Sequence, residues 1–197
     1  LGEYILACDE GKCPLSESRT GQNRFFSFNG GQFFKITNYG SLPFYDGEFT
    51  MAAYINKDEG ITDWGRVMGK YLYSPDSPSG FAMDIGKASE DRMRCYLGGR
   101  GGAVNVYFPI GSVPKKKWVY VACTFNKDNL IAFVDGIEVA RSPAGNSRLT
   151  TTNYPFYIGT TGDAGRVQNT FKGGIDDVYL YNKALSPTNV RKLATTS

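Results

Sequence analysis

Phe171-Lys-Gly-Gly-Ile-Asp-Asp-Val-Tyr-Leu-Tyr-Asn-Lys-Ala-Leu185 is the stretch that decides the fold. From Ile175 to Tyr181 it is β-branched, aromatic and free of proline, with Gly173-Gly174 before it and Asn182 after it, which is how a half-buried strand reads. Upstream, Trp118-Val-Tyr-Val-Ala-Cys-Thr-Phe125 and Phe133-Val-Asp-Gly-Ile-Glu-Val139 have the same texture. Asp135-Gly136 between apolar runs predicts a two-residue hairpin, because a type I′ turn needs positive φ at both central positions. Asn126-Lys-Asp-Asn129 predicts a second turn. Similar short runs occur at Phe25–Phe28, Phe33–Ile36, Phe49–Ile55, Arg66–Leu72, Phe81–Ile85, Met93–Leu97, Val104–Phe108 and Phe156–Ile158. Strands this short and this evenly spaced predict a two-sheet sandwich. One helix is expected, capped by Ser186, opened by Pro187, with Val190 and Leu193 as its apolar contacts.

A chain of 197 residues buries roughly 70% of the surface its unfolded form exposes, enough for one core, so a single domain over 1–197 is expected. The 24 Gly, 13 Tyr and 13 Phe suit strands separated by tight turns. No run approaches the ~18 apolar residues of a membrane span. Leu1 is not an initiator Met and no signal pattern follows it, so a mature or excised fragment is expected. A net charge of +3 is far from that of a nucleic-acid binder, and Lys115-Lys-Lys117 reads as a solvated loop. There is no histidine, which excludes Ser-His-Asp and Cys-His nucleophilic sites and His-based zinc sites.

Cys8 and Cys13 enclose four polar residues, the signature of a clasped loop. Cys95 shares strand parity with Met93 and Leu97, and Cys123 with Val119, Val121 and Phe125, so both thiols belong to apolar faces. They either pair across neighbouring strands or stay as two buried thiols. Two disulfides, and with them a secreted, extracellular protein, are the expectation.

The Trp118-led strand, the Phe133-Val-Asp-Gly136 hairpin and Ile175-Asp-Asp-Val178 followed by Ala184-Leu-Ser186 resemble laminin G-like domains of the concanavalin A-like superfamily. With Phe26-Ser-Phe-Asn-Gly30 and Phe49-Thr-Met-Ala-Ala-Tyr-Ile55, the resemblance covers about residues 25 to 193. It implies an all-β, two-sheet antiparallel jelly roll with one short C-terminal helix. It also implies structural calcium, held by Asp176, Asn29 and carbonyls near Gly30, with Asn29 standing where many relatives carry Asp. Parity with Val178 and Leu180 puts Asp176 on the core side, where a carboxylate needs either a cation or N–H donors such as those of Gly173-Gly174.

The superfamily's glucanases carry a strand of alternating Glu and Asp, and no such pattern occurs here. Noncatalytic carbohydrate binding is therefore the leading expectation, with a glycan or glycoprotein as partner. A protein-binding or structural laminin G-like module is the alternative, and a glycan-active hydrolase the weaker one. Trp64, in the turn-like Ile61-Thr-Asp-Trp-Gly65, is either a sugar-stacking platform or a cover for the core's end. Arg100, within Gly98-Gly-Arg-Gly-Gly102, either grips a sugar carboxylate or sits in a flexible hairpin. Tyr71, Tyr73, Asp163 and Arg166 are expected at the same end as these two. Tyr179 and Tyr181 either line a sheet face or pack within it.

Overall fold

The structure, a computed structural model, describes residues 6–20, 23–36, 47–59, 64–72, 79–86, 92–150, 154–163 and 166–196. Its strands are β1 Leu6–Ala7, β2 Leu15–Thr20, β3 Asn23–Asn29, β4 Phe34–Ile36, β5 Phe49–Lys57, β6 Gly65–Leu72, β7 Ser79–Ile85, β8 Met93–Arg100 and β9 Gly102–Tyr107. There follow β10 Val119–Phe125, β11 Asn129–Val134, β12 Ile137–Pro143, β13 Arg148–Leu149, β14 Phe156–Ile158, β15 Thr161–Asp163, β16 Arg166–Gln168, β17 Lys172–Tyr181 and the helix α1 Pro187–Thr195. One antiparallel sheet runs β1-β4-β14-β6-β7-β8-β13, with β9 also paired to β8. The other runs β12-β11-β10-β5-β17-β3-β2, and β15 pairs with β16 alone. This is a jelly-roll sandwich with one short C-terminal helix.

Alternation along the strands builds the core. Phe81, Met83 and Ile85 of β7 and Met93, Cys95 and Leu97 of β8 are buried against Phe49, Met51 and Ile55 of β5 and Val121, Cys123 and Phe125 of β10. Phe49 stacks on Phe81 across the two sheets, ring centroids 4.6 Å apart. Each such side chain contributes roughly 1.5–3 kcal/mol of burial. Both disulfides form, Cys8–Cys13 as a loop clasp and Cys95–Cys123 between β8 and β10. The second pairing differs from a bridge between neighbouring strands: β8 and β10 lie in opposite sheets, and the thiols meet because both point into the space between them.

The quoted motifs have local physical reasons. Asp135 and Gly136 take φ of 48° and 77°, as a type I′ turn requires. Asp135 Oδ1 also accepts the Tyr120 N–H at 3.1 Å, tying the turn to β10. A Cβ at Gly136 would lie 2.7 Å from the Arg191 Cα, so α1 docks on this turn only because the residue is glycine. Gly174 is needed for a similar reason, since a Cβ there would lie 2.6 Å from the Trp118 ring. Ser186 Oγ accepts the Asn189 N–H at 3.3 Å, and Val190 is fully buried on Ala52, Tyr120, Ala122, Ile131 and Phe133. Asn126 Oδ1 accepts the N–H groups of Asp128 and Asn129, making the second expected turn.

Parity breaks within β17. β17 pairs Ile175 with Ile55 and Asp176 with Tyr54, but then Tyr179 with Ala52, so one extra residue is inserted. Asp177, at φ 46°, absorbs it as a β-bulge. Ile175, Val178 and Leu180 consequently share the core side. Asp176, opposite Tyr54, does not belong to that row, contrary to the expectation from simple alternation.

The inter-sheet disulfide closes a separation of 28 residues, for which chain entropy gives about 3.5 kcal/mol. Replacing Cys95 and Cys123 together by Ala is expected to lower Tm by roughly 7–14 °C, read by calorimetry. A much smaller shift would show that the unfolded chain gains little freedom from the cut.

Candidate functional site

The outward positions of β6, β7 and β8 carry a charged and aromatic cluster. Arg66 of β6 pairs with Asp84 of β7, and Asp84 with Arg94 of β8, in the strand register. Arg66 Nε donates to Asp84 Oδ1 at 2.6 Å, while Arg94 Nε and Nη2 donate to Oδ2 at 3.2 and 3.1 Å. Asp84 is 1% exposed, so its charge depends on these two partners. The Arg94 guanidinium lies 4.0 Å from the centre of the Trp64 ring, and that of Arg66 4.9 Å from the Tyr71 ring. Tyr71 and Tyr96 meet edge-on at 4.6 Å, and Arg94 is 5.6 Å from Tyr96, which closes the circuit. Each cation–π contact is worth roughly 0.5–2 kcal/mol.

Among the described residues, two guanidiniums around one carboxylate leave the cluster net positive. Asp84 and Arg66 are sealed, whereas the Arg94 side chain keeps 20% of its surface and Trp64 is half-buried beneath it. Burial raises the Tyr71 phenol well above its usual range, with the neighbouring Tyr96 adding to it, so it stays neutral and a hydrogen-bond donor. Beyond Arg94 on the same side, Tyr107 of β9 pairs with it in register and carries the Arg92 guanidinium at 4.1 Å. The arrangement suits a ligand with an anionic group and an apolar ring face.

The expected residues scatter around this cluster. Trp64 is in it, half-buried, with the Arg94 guanidinium over its ring. Tyr71 is in it as well. Arg100 shares the outward parity of Arg94 but sits six residues further along β8, about 20 Å away. Its segment is a hairpin in which Gly99 pairs with Gly102, and Gly101 and Gly102 take φ of 94° and 113°. Asp163 and Arg166 face each other in the β15–β16 register, their side chains lying outside the described residues, as does the whole of Tyr73. Tyr179 packs with Leu185 and Leu193 on the opposite sheet's outer side, with Tyr181 stacked 6.4 Å from it. Arg66, Asp84, Arg94 and Tyr96 were not singled out from sequence, although their alternation with Met83, Ile85, Met93, Cys95 and Leu97 marks an outward row.

The calcium set does not come together. Asn29 pairs with Lys172, four residues or about 13 Å along β17 from Asp176. The Lys172 stem lies over Gly30. Asp176 Oδ1 accepts the Asp177 N–H at 3.0 Å, a bond from within the bulge. Among the described residues no three His, Cys, Asp or Glu side chains gather as a metal group.

A family model described as the concanavalin A-like lectin/glucanases superfamily, of laminin G type, matches residues 28–191. The chain belongs to this superfamily. No curated protein matches it. Among solved structures it is similar to the CBM40 of the Ruminococcus gnavus IT-sialidase, with TM-score 0.71 and 14% identity over 91% of this chain and 98% of that one. The binding domain of botulinum neurotoxin DC in complex with SialylT gives TM-score 0.69 and 10% identity over 98% of this chain and 46% of that one. Trypanosoma rangeli sialidase in complex with the inhibitor DANA gives 0.61 and 21% over 91% and 28%. The chain thus spans less than half the length of the last two, and these identities show the shared fold.

Two outcomes are expected for the domain. Asp84→Ala leaves two guanidiniums uncompensated and should destabilise by about 3–5 kcal/mol in urea unfolding, and an effect under about 1 kcal/mol would mean that solvent reaches the cluster. Chelator should leave Tm unchanged; a fall of several degrees, reversed by calcium, would show a cage built from other oxygens.

Proposed function

We propose that this domain is a noncatalytic, extracellular glycan-binding module whose outer sheet face over β6, β7 and β8 takes an acidic sugar. The observation that carries this is the partly exposed Arg94 guanidinium, held over Trp64 and oriented by Asp84, in a cluster that has one more positive charge than negative among the described residues. A planar fork of this kind matches a carboxylate in two hydrogen bonds, and the half-buried Trp64 indole offers apolar surface to the pyranose ring. The neighbours named for SialylT, for the inhibitor DANA and as a sialidase CBM40 support the acidic-sugar reading by analogy of fold. Two disulfides support an oxidising compartment. With no histidine and no paired carboxylates of glycosidase pattern, binding without turnover is the simpler chemistry.

The test is a glycan array followed by calorimetric titration. Sialylated glycans should bind and their desialylated forms should bind at least tenfold more weakly. Arg94→Gln, which leaves Asp84 paired with Arg66, should cost roughly 10–100-fold in affinity with little loss of Tm. Arg100→Ala, about 20 Å away, should change nothing. Equal binding of neutral and acidic glycans, or an Arg94→Gln variant of undiminished affinity, would refute this site.

A further inference from the structure

The loop that joins β9 to β10 crosses from one sheet to the other, and its sequence Tyr107-Phe-Pro-Ile-Gly-Ser-Val-Pro-Lys-Lys-Lys-Trp118 contains no acidic residue. Two of its side chains, Phe108 and Val113, plug the core. What lies between and after them stays in water. Ile110, at 73%, is the most exposed large apolar side chain among the described residues, and Tyr107 is 38% exposed. A turn holds Ile110 out: the Ser112 N–H donates to the Pro109 carbonyl at 3.1 Å and the Ser112 Oγ to the same oxygen at 2.7 Å, with Gly111 at φ 76°. Lys115, Lys116 and Lys117 are all exposed, and none of them is in an ion pair among the described residues. The Lys116 N–H donates to the Lys57 carbonyl at 2.8 Å, which fixes the run against the end of β5.

A single exposed isoleucine is ordinary on a protein surface. Here it stands on a hydrogen-bonded turn, at most about 18 Å of chain from Lys115, in a loop that opens on a tyrosine carrying the Arg92 guanidinium at 4.1 Å. Asp58 and Glu59, which follow the anchored end of β5, are the acids set beside Lys116, two against the four cations of Arg92 and the lysine run. A soluble polyanion would engage the lysines and leave Ile110 in water. An apolar groove would take Ile110 and leave the lysines. The surface of an anionic bilayer takes both, because its headgroups attract unpaired lysines and the layer beneath accepts an aliphatic side chain, with tyrosine at the boundary. We propose that this loop docks the domain on anionic phospholipid membranes, with Ile110 entering the headgroup layer and the three lysines resting on it. The assignment is independent of the glycan face.

The probe is a vesicle of phosphatidylcholine containing about a third phosphatidylserine, with pure phosphatidylcholine as its neutral counterpart. The whole domain should sediment with the anionic vesicles and not measurably with the neutral ones, and the bound fraction should fall as salt is raised. Neither vesicle carries a glycan, so this result and the glycan titration fail or succeed separately. Ile110→Ser should weaken vesicle binding about tenfold. Ile110→Trp should bind at least as tightly as the native loop, and its added indole emission should move to shorter wavelength on the anionic vesicle. Lys115→Gln with Lys117→Gln should cost roughly 25-fold, about fivefold for each lysine. All these variants replace exposed side chains and should keep the native Tm. No sedimentation with anionic vesicles, equal sedimentation with neutral ones, an Ile110→Ser variant that binds as the native domain does, or an Ile110→Trp emission that stays put would each overturn the assignment. Capture by heparin without sedimentation on vesicles would replace the membrane by a soluble polyanion.

Discussion

The bond between Cys95 and Cys123 crosses the space between the sheets, and with it the inward row of β8 and of β10 is set. Every other position on β8 then has no choice. With Met93, Cys95 and Leu97 inward, Arg94 and Tyr96 must face out. The same alternation on β7 sends Phe81, Met83 and Ile85 inward and Asp84 outward, directly opposite Arg94. On β6 a register shift between Arg66 and Met68 lets Val67 and Met68 both join the core while Arg66 stays opposite Asp84. The charged cluster is thus the outer side of a constraint imposed from within.

The two outer faces of the sandwich have taken different solutions. On the seven-stranded sheet, Ala52, Tyr120, Ala122 and Phe133 are covered by Val190 of α1, and the face is closed by its own chain. On the eight-stranded sheet, burial is reached with guanidiniums lying on aromatic rings around a single carboxylate. Such a network contributes less to stability than hydrocarbon would, because desolvating three charges offsets most of their attraction. Its value lies in orientation, since Arg94 is fixed by Asp84 on one side and Trp64 on another before any ligand arrives.

Close backbone approach accounts for the motif residues that look like functional ones. Gly136 admits α1, Gly174 admits Trp118, and Asp135 secures β10 through the Tyr120 amide. The Ile-Asp-Asp-Val string behaves similarly: its second Asp takes the left-handed conformation that lets β17 insert a residue, and its first Asp accepts a hydrogen bond from that same bulge. Because the inserted residue shifts all that follows, Val178 and Leu180 remain in the core although Ile175 is already there.

Local chemistry was enough to read the strands, the Asp135-Gly136 and Asn126–Asn129 turns, the Ser186 cap and the apolar parity of both inner cysteines, because period-two alternation and turn residues act over a few positions. Three features were decided only by the tertiary structure. Which sheet each strand joins determined that Cys95 meets Cys123 across the core and that Arg66, Asp84 and Arg94, spread over three strands, become neighbours. The bulge at Asp177 overrode the parity that pointed Asp176 inward, since Asp tolerates positive φ but does not announce it. Distances along the strands separated Arg100 from Trp64 and Asn29 from Asp176, residues whose chemistry matched but whose registers did not. Pairing order and register depend on contacts between segments far apart in the chain, and no single segment encodes them.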